Sequence, residues 1–161
     1  MQKLELLLPP PVIALITAVL MWLCAHYLSS LTIDWLLKGG VGYALRLILG
    51  VACFVGSGII GLASLRQFAR ARTTTNPKSP AQASVLVQNA FYAHSRNPMY
   101  LAVLLLLLCW GLYLANAAAL LVIVGFVWFI TQFQIKPEER FLEKKFGQKY
   151  LDYKKNVRRW L

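Results

Sequence analysis

Residues 95–135, SRNPMYLAVLLLLLCWGLYLANAAALLVIVGFVWFITQFQI, decide the fold. Two apolar runs, 98–114 and 117–135, are separated only by Ala115 and Asn116. About twenty apolar residues cross a hydrocarbon core as a helix, and two helices joined this closely form a tight antiparallel hairpin. The entry to the first run raises a question, because an arginine, an asparagine and a proline stand where lipid would be met. That start is polar and stiff, and it implies that something is held there.

Working outward, two earlier apolar runs at about 11–28 and 41–65 bring the expectation to an all-α integral membrane protein with four spans. With 161 residues, 58% of them hydrophobic, and a mean hydropathy of +0.57, the chain lies far from soluble composition and suits one domain over residues 1–161. The first apolar run starts behind Pro9, Pro10 and Pro11 and continues past Trp22 with no small-residue cleavage site, so the N-terminus is expected to be retained.

Lys and Arg number 17 against 6 Asp and Glu, a balance that suits nucleic acid or a membrane surface. Placement separates the two. Five basic residues fall within 66–96 and nine within 136–159, whereas 29–42 carries only Lys38. This is the positive-inside pattern, which argues against a nucleic-acid groove and leads to the expectation that both termini face the cytoplasm. Cys24, Cys53 and Cys109 each sit inside an apolar run with no C-x-x-C spacing. They read as small buried hydrophobes, and no metal site is expected.

Several motifs need weighing. GSGIIG, from Gly56 to Gly61, matches a dinucleotide fingerprint literally but lacks the preceding strand and the following acidic residue; small residues admitting a neighbouring helix explain it better. Arg46 in the same span would snorkel to the interface. The stretch SVLVQNAFYAH, 84–94, carries aromatics that a solvated tether would not need. From Pro137 onward the chain starts a helix with Glu138 and Glu139 in its first turn. At helical spacing Leu142, Phe146, Tyr150 and Tyr153 share a face with Glu139, opposite Arg140, Lys144 and Lys155. One amphipathic helix along the membrane surface is expected, with Gly147 its weak point.

Asn97 suits an N-cap and Pro98 an N1 position, so the third span opens with free backbone N–H groups beside Arg96, an arrangement that binds anions. The plainer reading is a capped helix with an interfacial arginine. The hairpin would bring this start next to Glu138 and Glu139, together with Tyr92 and Tyr100. A carboxylate on the apolar face, as Glu139 would be, needs a cationic partner. Anion binders, a carboxylate and aromatic faces suit a ligand carrying both charges, of which S-adenosylmethionine is one.

LVQNAFYAHSRNPMYLA, followed some forty residues later by PEERFLEKKFGQKYLDYKKNVRRWL, resembles the isoprenylcysteine carboxyl methyltransferase and phospholipid N-methyltransferase group, above all its small bacterial members. The family pattern is LV-x-x-G-x-Y-x-x-x-R-[HN]-P-x-Y-x-G, then E-E-x-x-L-x-x-x-F-G-x-x-Y-x-x-Y. The resemblance covers about the C-terminal half, 84–161, and implies an S-adenosylmethionine-dependent methyltransferase that yields S-adenosylhomocysteine. By this likeness Ser84, Val85, Leu86 and Val87 line the nucleotide, and Tyr92 touches the cofactor. Asn97, Pro98, Met99 and Tyr100 form its cradle, and Glu138 holds the methionine end. Arg96 supports cradle or acceptor, Glu139 braces the helix junction, and Tyr150 and Tyr153 pack the C-terminal helix. With Arg96, Glu138 and Glu139 as the catalytic set, the implied acceptor is lipophilic: an isoprenoid or fatty carboxylate, a phospholipid amine or a thiol.

The sequence departs from the pattern at Ala90 and Ala102, where glycines stand, so a left-handed turn at position 90 would be strained. Ser84 replaces a frequent histidine. Gln134 occupies the position of a substrate-contacting arginine in the prenylcysteine enzymes, which weighs against a prenylcysteine acceptor. Two other classes compete. One is a non-catalytic membrane protein of the same fold that binds a nucleotide-like ligand, an anionic lipid or a partner subunit. The other is a transporter, disfavoured by the scarcity of ionisable residues within the spans. Oligomeric state is not legible.

Overall fold

The computed structural model describes residue 6, residues 8–70 and residues 85–161. Seven α-helices follow in chain order: α1 (Pro10–Tyr27), a short α2 (Asp34–Leu37), α3 (Val41–Arg70), α4 (Pro98–Leu114), α5 (Ala117–Ile130), α6 (Lys136–Phe146) and α7 (Gln148–Asn156). A π-helical turn, Thr131–Ile135, joins α5 to α6 without a break. Pro10–Tyr27, Val41–Gln67 and Ala117–Phe146 are long and apolar enough to cross a membrane, with α4 a shorter apolar helix of 17 residues. The protein is an all-α membrane protein, as its composition implies.

The buried core lies among α1, α4 and α5, where Ile13, Met21, Leu107, Ile123 and Phe126 pack together. Gly111 makes this approach possible: a Cβ there would lie 2.7 Å from Leu120 and 3.2 Å from Met21. Helix α3 rests on α4 through small residues, as GSGIIG suggests. A Cβ on Gly61 would meet the Ala102 methyl at 3.6 Å, and one on Gly56 would meet Leu105 at the same distance. The rest of α3 presents Leu47, Ile48, Val51 and Phe54 outward, an ordinary surface in lipid, where close van der Waals packing and not water exclusion holds helices together. Arg46 lies 5.1 Å from the centre of the Tyr43 ring, a cation–π contact available while it snorkels.

The α4–α5 hairpin turns as tightly as two residues allow. Ala115 adopts left-handed backbone (φ 47°), and Asn116 caps α5 by accepting from the Ala119 N–H. The same buried Asn116 side chain donates to Leu28 O at 2.9 Å, and Ile33 N–H reaches Ala115 O at 2.7 Å. One asparagine thus pins the α1–α3 connection to the hairpin and satisfies both ends of its amide.

Helix α3 continues to Arg70, past the stretch of about 41–65 expected to cross the membrane. Two expectations need correction. The C-terminal helix is two helices, because Gly147 takes φ 54° and ψ −128°, a conformation only glycine adopts cheaply, which turns α7 out of the α6 axis. Asn97 occupies the N-cap of α4 but its side chain makes no cap bond; it is drawn away by the C-terminal tail. The face expected to be apolar does pack: Tyr150, Tyr153 and Val157 form a small cluster with Leu86, Leu142 and Phe146.

Candidate functional site

The held object at the start of α4 is first of all the chain's own C-terminus. After α7 the tail turns back across SRNP. Arg96 N–H donates to Arg158 O at 3.0 Å, Asn97 Nδ2 donates to Arg159 O at 2.9 Å, and Arg96 Nη1 donates to the carbonyls of Lys154 and Val157 at 3.2 and 2.5 Å. Trp160 closes the fold-back, its indole N–H on Thr131 Oγ1 at 3.2 Å. A guanidinium offers five N–H donors in a fixed fork, and this one is largely spent inside the protein.

Glu139 takes the remainder. Arg96 Nη2 and Nε donate to its Oε1 at 2.8 and 3.3 Å, while Arg159 donates through Nη2 to Oε2 at 2.7 Å and through Nε to Oε1 at 3.0 Å. The Arg96 and Glu139 side chains are each 7% exposed. Burial raises the Glu139 carboxyl, but the bonds from Arg159 and Arg96 outweigh it and hold the group below the usual glutamate value. The carboxylate on the apolar face has found not one cationic partner but two.

Glu138, one residue earlier, faces different company. Tyr100 Oη donates to its Oε1 at 2.5 Å, and among the described residues Glu138 enters no ion pair. Burial pushes its carboxyl up to about 7, the Tyr100 bond opposing and the Glu139 charge adding. Tyr92 is buried nearby in the 3₁₀ turn Ala90–Ala93. Tyr153 Oη donates to the Tyr92 carbonyl at 2.6 Å, so the C-terminal cluster fixes this turn. Burial, with Tyr153 adding, raises the Tyr92 phenol above its ordinary value, a hydrogen bond with Ser64 opposing. Ala90 does take left-handed backbone, φ 54°, the strain expected for an alanine in a glycine position.

The structure therefore gathers Tyr92, Asn97, Pro98, Tyr100, Glu138, Glu139 and Arg96 at the end of the bundle where α4 starts and α6 begins. Leu86 packs on the Tyr150–Tyr153 cluster and Val85 is exposed. Val87 and Met99 are partly buried, and Ser84 lies outside the described residues. The site contains residues that the sequence reading passed over. Ser64 of α3 is fully buried, donates to Ile60 O at 2.7 Å and meets Tyr92; in sequence it is one serine in an apolar run. Arg159 is one cation among nine near the C-terminus, and only the tail's return singles it out.

What this arrangement can do follows from its donors. The first N–H groups of α4 have no carbonyl one turn back and no side-chain cap, so they can receive an anion, while Glu138, bonded to the Tyr100 hydroxyl at 2.5 Å, can receive a cation. A family model described as phospholipid methyltransferase matches residues 45–149, from α3 into α7. A protein of Haemophilus influenzae described only as uncharacterized is 54% identical over 63 residues, which is all of that protein and 39% of this chain. No solved structure matches.

Proposed function

The chain belongs to the phospholipid methyltransferase family, whose model spans well over half of it, and from that premise we propose that it transfers a methyl group from S-adenosylmethionine to a lipophilic acceptor arriving through the bilayer. The observation that carries the reading is Glu138, a carboxylate bonded to Tyr100 and otherwise without an ionic partner among the described residues, next to the uncapped start of α4. This pair fits the donor's zwitterionic end. Glu138 holds the ammonium, and the N–H groups of Met99 and Tyr100 receive the carboxylate. Val85, Leu86, Val87 and Tyr92 flank the nucleotide.

Arg96 and Glu139 act on the reaction through position. Their ion pair and the tail it clamps hold Asn97 and Pro98 in place, so the α4 start keeps one geometry. When bound, the donor supplies a sulfonium methyl group for in-line displacement, chemistry that asks mainly for alignment. The chain's own share is to bind both ends, aim the methyl toward the bilayer side and keep water away. Residues 84–161 form the cofactor half of a single domain. The positive-inside placement of the basic segments supports a cytoplasmic orientation for both termini and the site, and the reading takes the membrane to be a bacterial inner one.

A second reading has one observation in its favour. Ala90 sits at φ 54° where the family pattern has glycine, and a strained loop suits a protein that keeps the fold and binds a nucleotide-like ligand, an anionic lipid or a partner without transfer. Calorimetric titration of the detergent-purified protein with S-adenosylhomocysteine tests the main reading. Saturable binding is expected, weakened at least about tenfold by Tyr100→Phe and by Glu138→Gln. A folded protein that binds nothing would overturn the reading, and binding without release of labelled methyl would favour the second.

A further inference from the structure

The C-terminal segment carries more positive charge than the site uses. Residues 136–161 hold nine basic against four acidic side chains, and the acidic ones are already engaged. Glu138 is bonded to Tyr100, Glu139 to Arg96 and Arg159, Glu143 to Lys154 and Asp152 to Lys155. Lys144, Lys149 and Arg158 are exposed and enter no ion pair among the described residues. Arg140 is exposed beside them, and so is a large aromatic, Phe141, at 46%.

The helix that carries these residues fixes their depth. Ala117–Phe146 runs unbroken through the π turn, about 45 Å at 1.5 Å per residue, against a hydrocarbon core of about 30 Å. The Tyr100–Glu138 bond ties the foot of α6 to the polar start of α4, so the core ends near that level and α6 rises through the headgroup layer. Leu121, Val124 and Trp128, exposed by 70, 65 and 58%, mark the side of α5 that faces lipid. With one residue taken up by the π turn, Arg140 stands about three whole helical turns beyond Trp128. It therefore continues the lipid-facing stripe, and Lys144 follows one turn higher. Phe141 completes an arc of about 100° with them. A soluble acidic partner would have to displace lipid to meet this arc, whereas headgroups surround it already.

We infer that anionic phospholipid headgroups dock on the arc of Arg140 and Lys144, with Phe141 at the acyl boundary, and that this docking steadies the C-terminal clamp over the start of α4. Attraction to an anionic surface favours binding roughly fivefold per Lys or Arg. The docked helix and the one after it are also those that fasten the site. Arg96 Nη1 donates to the carbonyls of Lys154 and Val157, Arg159 pairs with Glu139, and Tyr153 Oη donates to the Tyr92 carbonyl. Headgroups that seat α6 therefore restrict the opening of the tail, the kind of local motion that amide exchange reads. The docking stands apart from the methyltransferase reading, and its effect on cofactor affinity rests on that reading.

The test places the full chain in vesicles of phosphatidylcholine alone or mixed with phosphatidylglycerol. Amide hydrogen exchange over residues 92–97 and 148–161 is measured with S-adenosylhomocysteine affinity, a ligand without net charge that the surface potential does not concentrate. Wild type is compared with the double variant Arg140→Gln, Lys144→Gln and with Lys38→Gln, which removes an exposed cation from the connection between α2 and α3. Phosphatidylglycerol should slow exchange and tighten affinity at least about fivefold in wild type and Lys38→Gln. The double variant should lose most of both gains, and high salt should abolish them in wild type. Equal exchange in the two vesicles, or a gain that the double variant keeps, would overturn the docking. The same protection from inorganic phosphate added to phosphatidylcholine vesicles would assign the arc to soluble anions and overturn it too. Slowed exchange with unchanged affinity overturns the coupling to the site. Slowed exchange in wild type that binds no S-adenosylhomocysteine in either vesicle supports the docking and overturns the methyltransferase reading. Should the double variant not fold, Lys144→Gln alone carries the same expectation.

Discussion

Replacing Glu139 by alanine should unfold the protein more than it disarms it. The substitution removes four charge-assisted hydrogen bonds, two from Arg96 and two from Arg159, and leaves two guanidinium groups facing each other. Arg96 is 7% exposed and Arg159 31%, so only the second can turn to water. Removing one partner of a buried pair costs about 3–5 kcal/mol, a large share of the roughly 5–15 kcal/mol that holds a domain. At about 2–4 °C per kcal/mol for a chain of this size, the melting temperature should fall by roughly 10 °C. The assay is thermal unfolding followed by tryptophan fluorescence in one fixed detergent, with Glu139→Gln alongside. The pH dependence has a definite sign. The folded carboxyl lies below its unfolded value, so Glu139 contributes fully above the ordinary glutamate pKa of about 4.3 and its contribution is lost as pH falls through the lower folded value. The gap between wild type and Glu139→Gln should therefore be wide at neutral pH and close in acid. A Glu139→Ala protein that melts within 2 °C of wild type at neutral pH would refute the claim that this cluster anchors the tail.

Three further outcomes follow from particular contacts. Ala90→Gly should raise stability by about 1 kcal/mol, because it relieves a left-handed alanine at φ 54°; unfolding in detergent that shows no gain would mean the turn relaxes without cost. Gly111→Val should destabilise by about 1–3 kcal/mol, since even its Cβ would lie 2.7 Å from Leu120 and 3.3 Å from Ile123, whereas Gly58→Val, with nothing within 4 Å, should leave the melting temperature nearly unchanged. The Glu138 carboxyl is raised to about 7, so if it holds an ammonium its ionised form must be present: S-adenosylhomocysteine affinity should climb as pH rises through about 7 and level off, and Glu138→Gln should flatten that profile. A pH-independent wild-type affinity would remove Glu138 from the site.

The helical hairpin was legible because hydrophobic length and a two-residue joint leave little choice. Its fastening was not, since nothing in the letters Ala115-Asn116 says that one amide serves both the α5 cap and Leu28 O. The break at Gly147 shows the same limit. Periodicity through 137–153 is helical throughout, and a glycine within it costs only about 1 kcal/mol as a helix residue. Whether it bends the chain is decided by what α7 gains on the far side, here the packing of Tyr150 and Tyr153 against Leu86. Helical spacing did correctly signal that Glu139 would want a cation, because that argument needs only a face and a charge.

What spacing could not supply was the identity of the partners, and here the reason is topological. Arg96 was readable as a ligand-binding arginine beside an open helix end, yet its guanidinium is occupied by Glu139, Lys154 O and Val157 O, groups 43 to 61 residues away along the chain. A return of the C-terminal tail leaves no periodic trace, since its bonds run from backbone carbonyls that every residue possesses. The two acidic neighbours thereby divide the work. Glu139 bridges two arginines and sets the shape, its carboxylate oxygens taken up by four hydrogen bonds from them. Glu138, bonded to the Tyr100 hydroxyl and in no ion pair among the described residues, is raised by burial to about 7, and under the proposed function a cationic ligand would favour its ionised form.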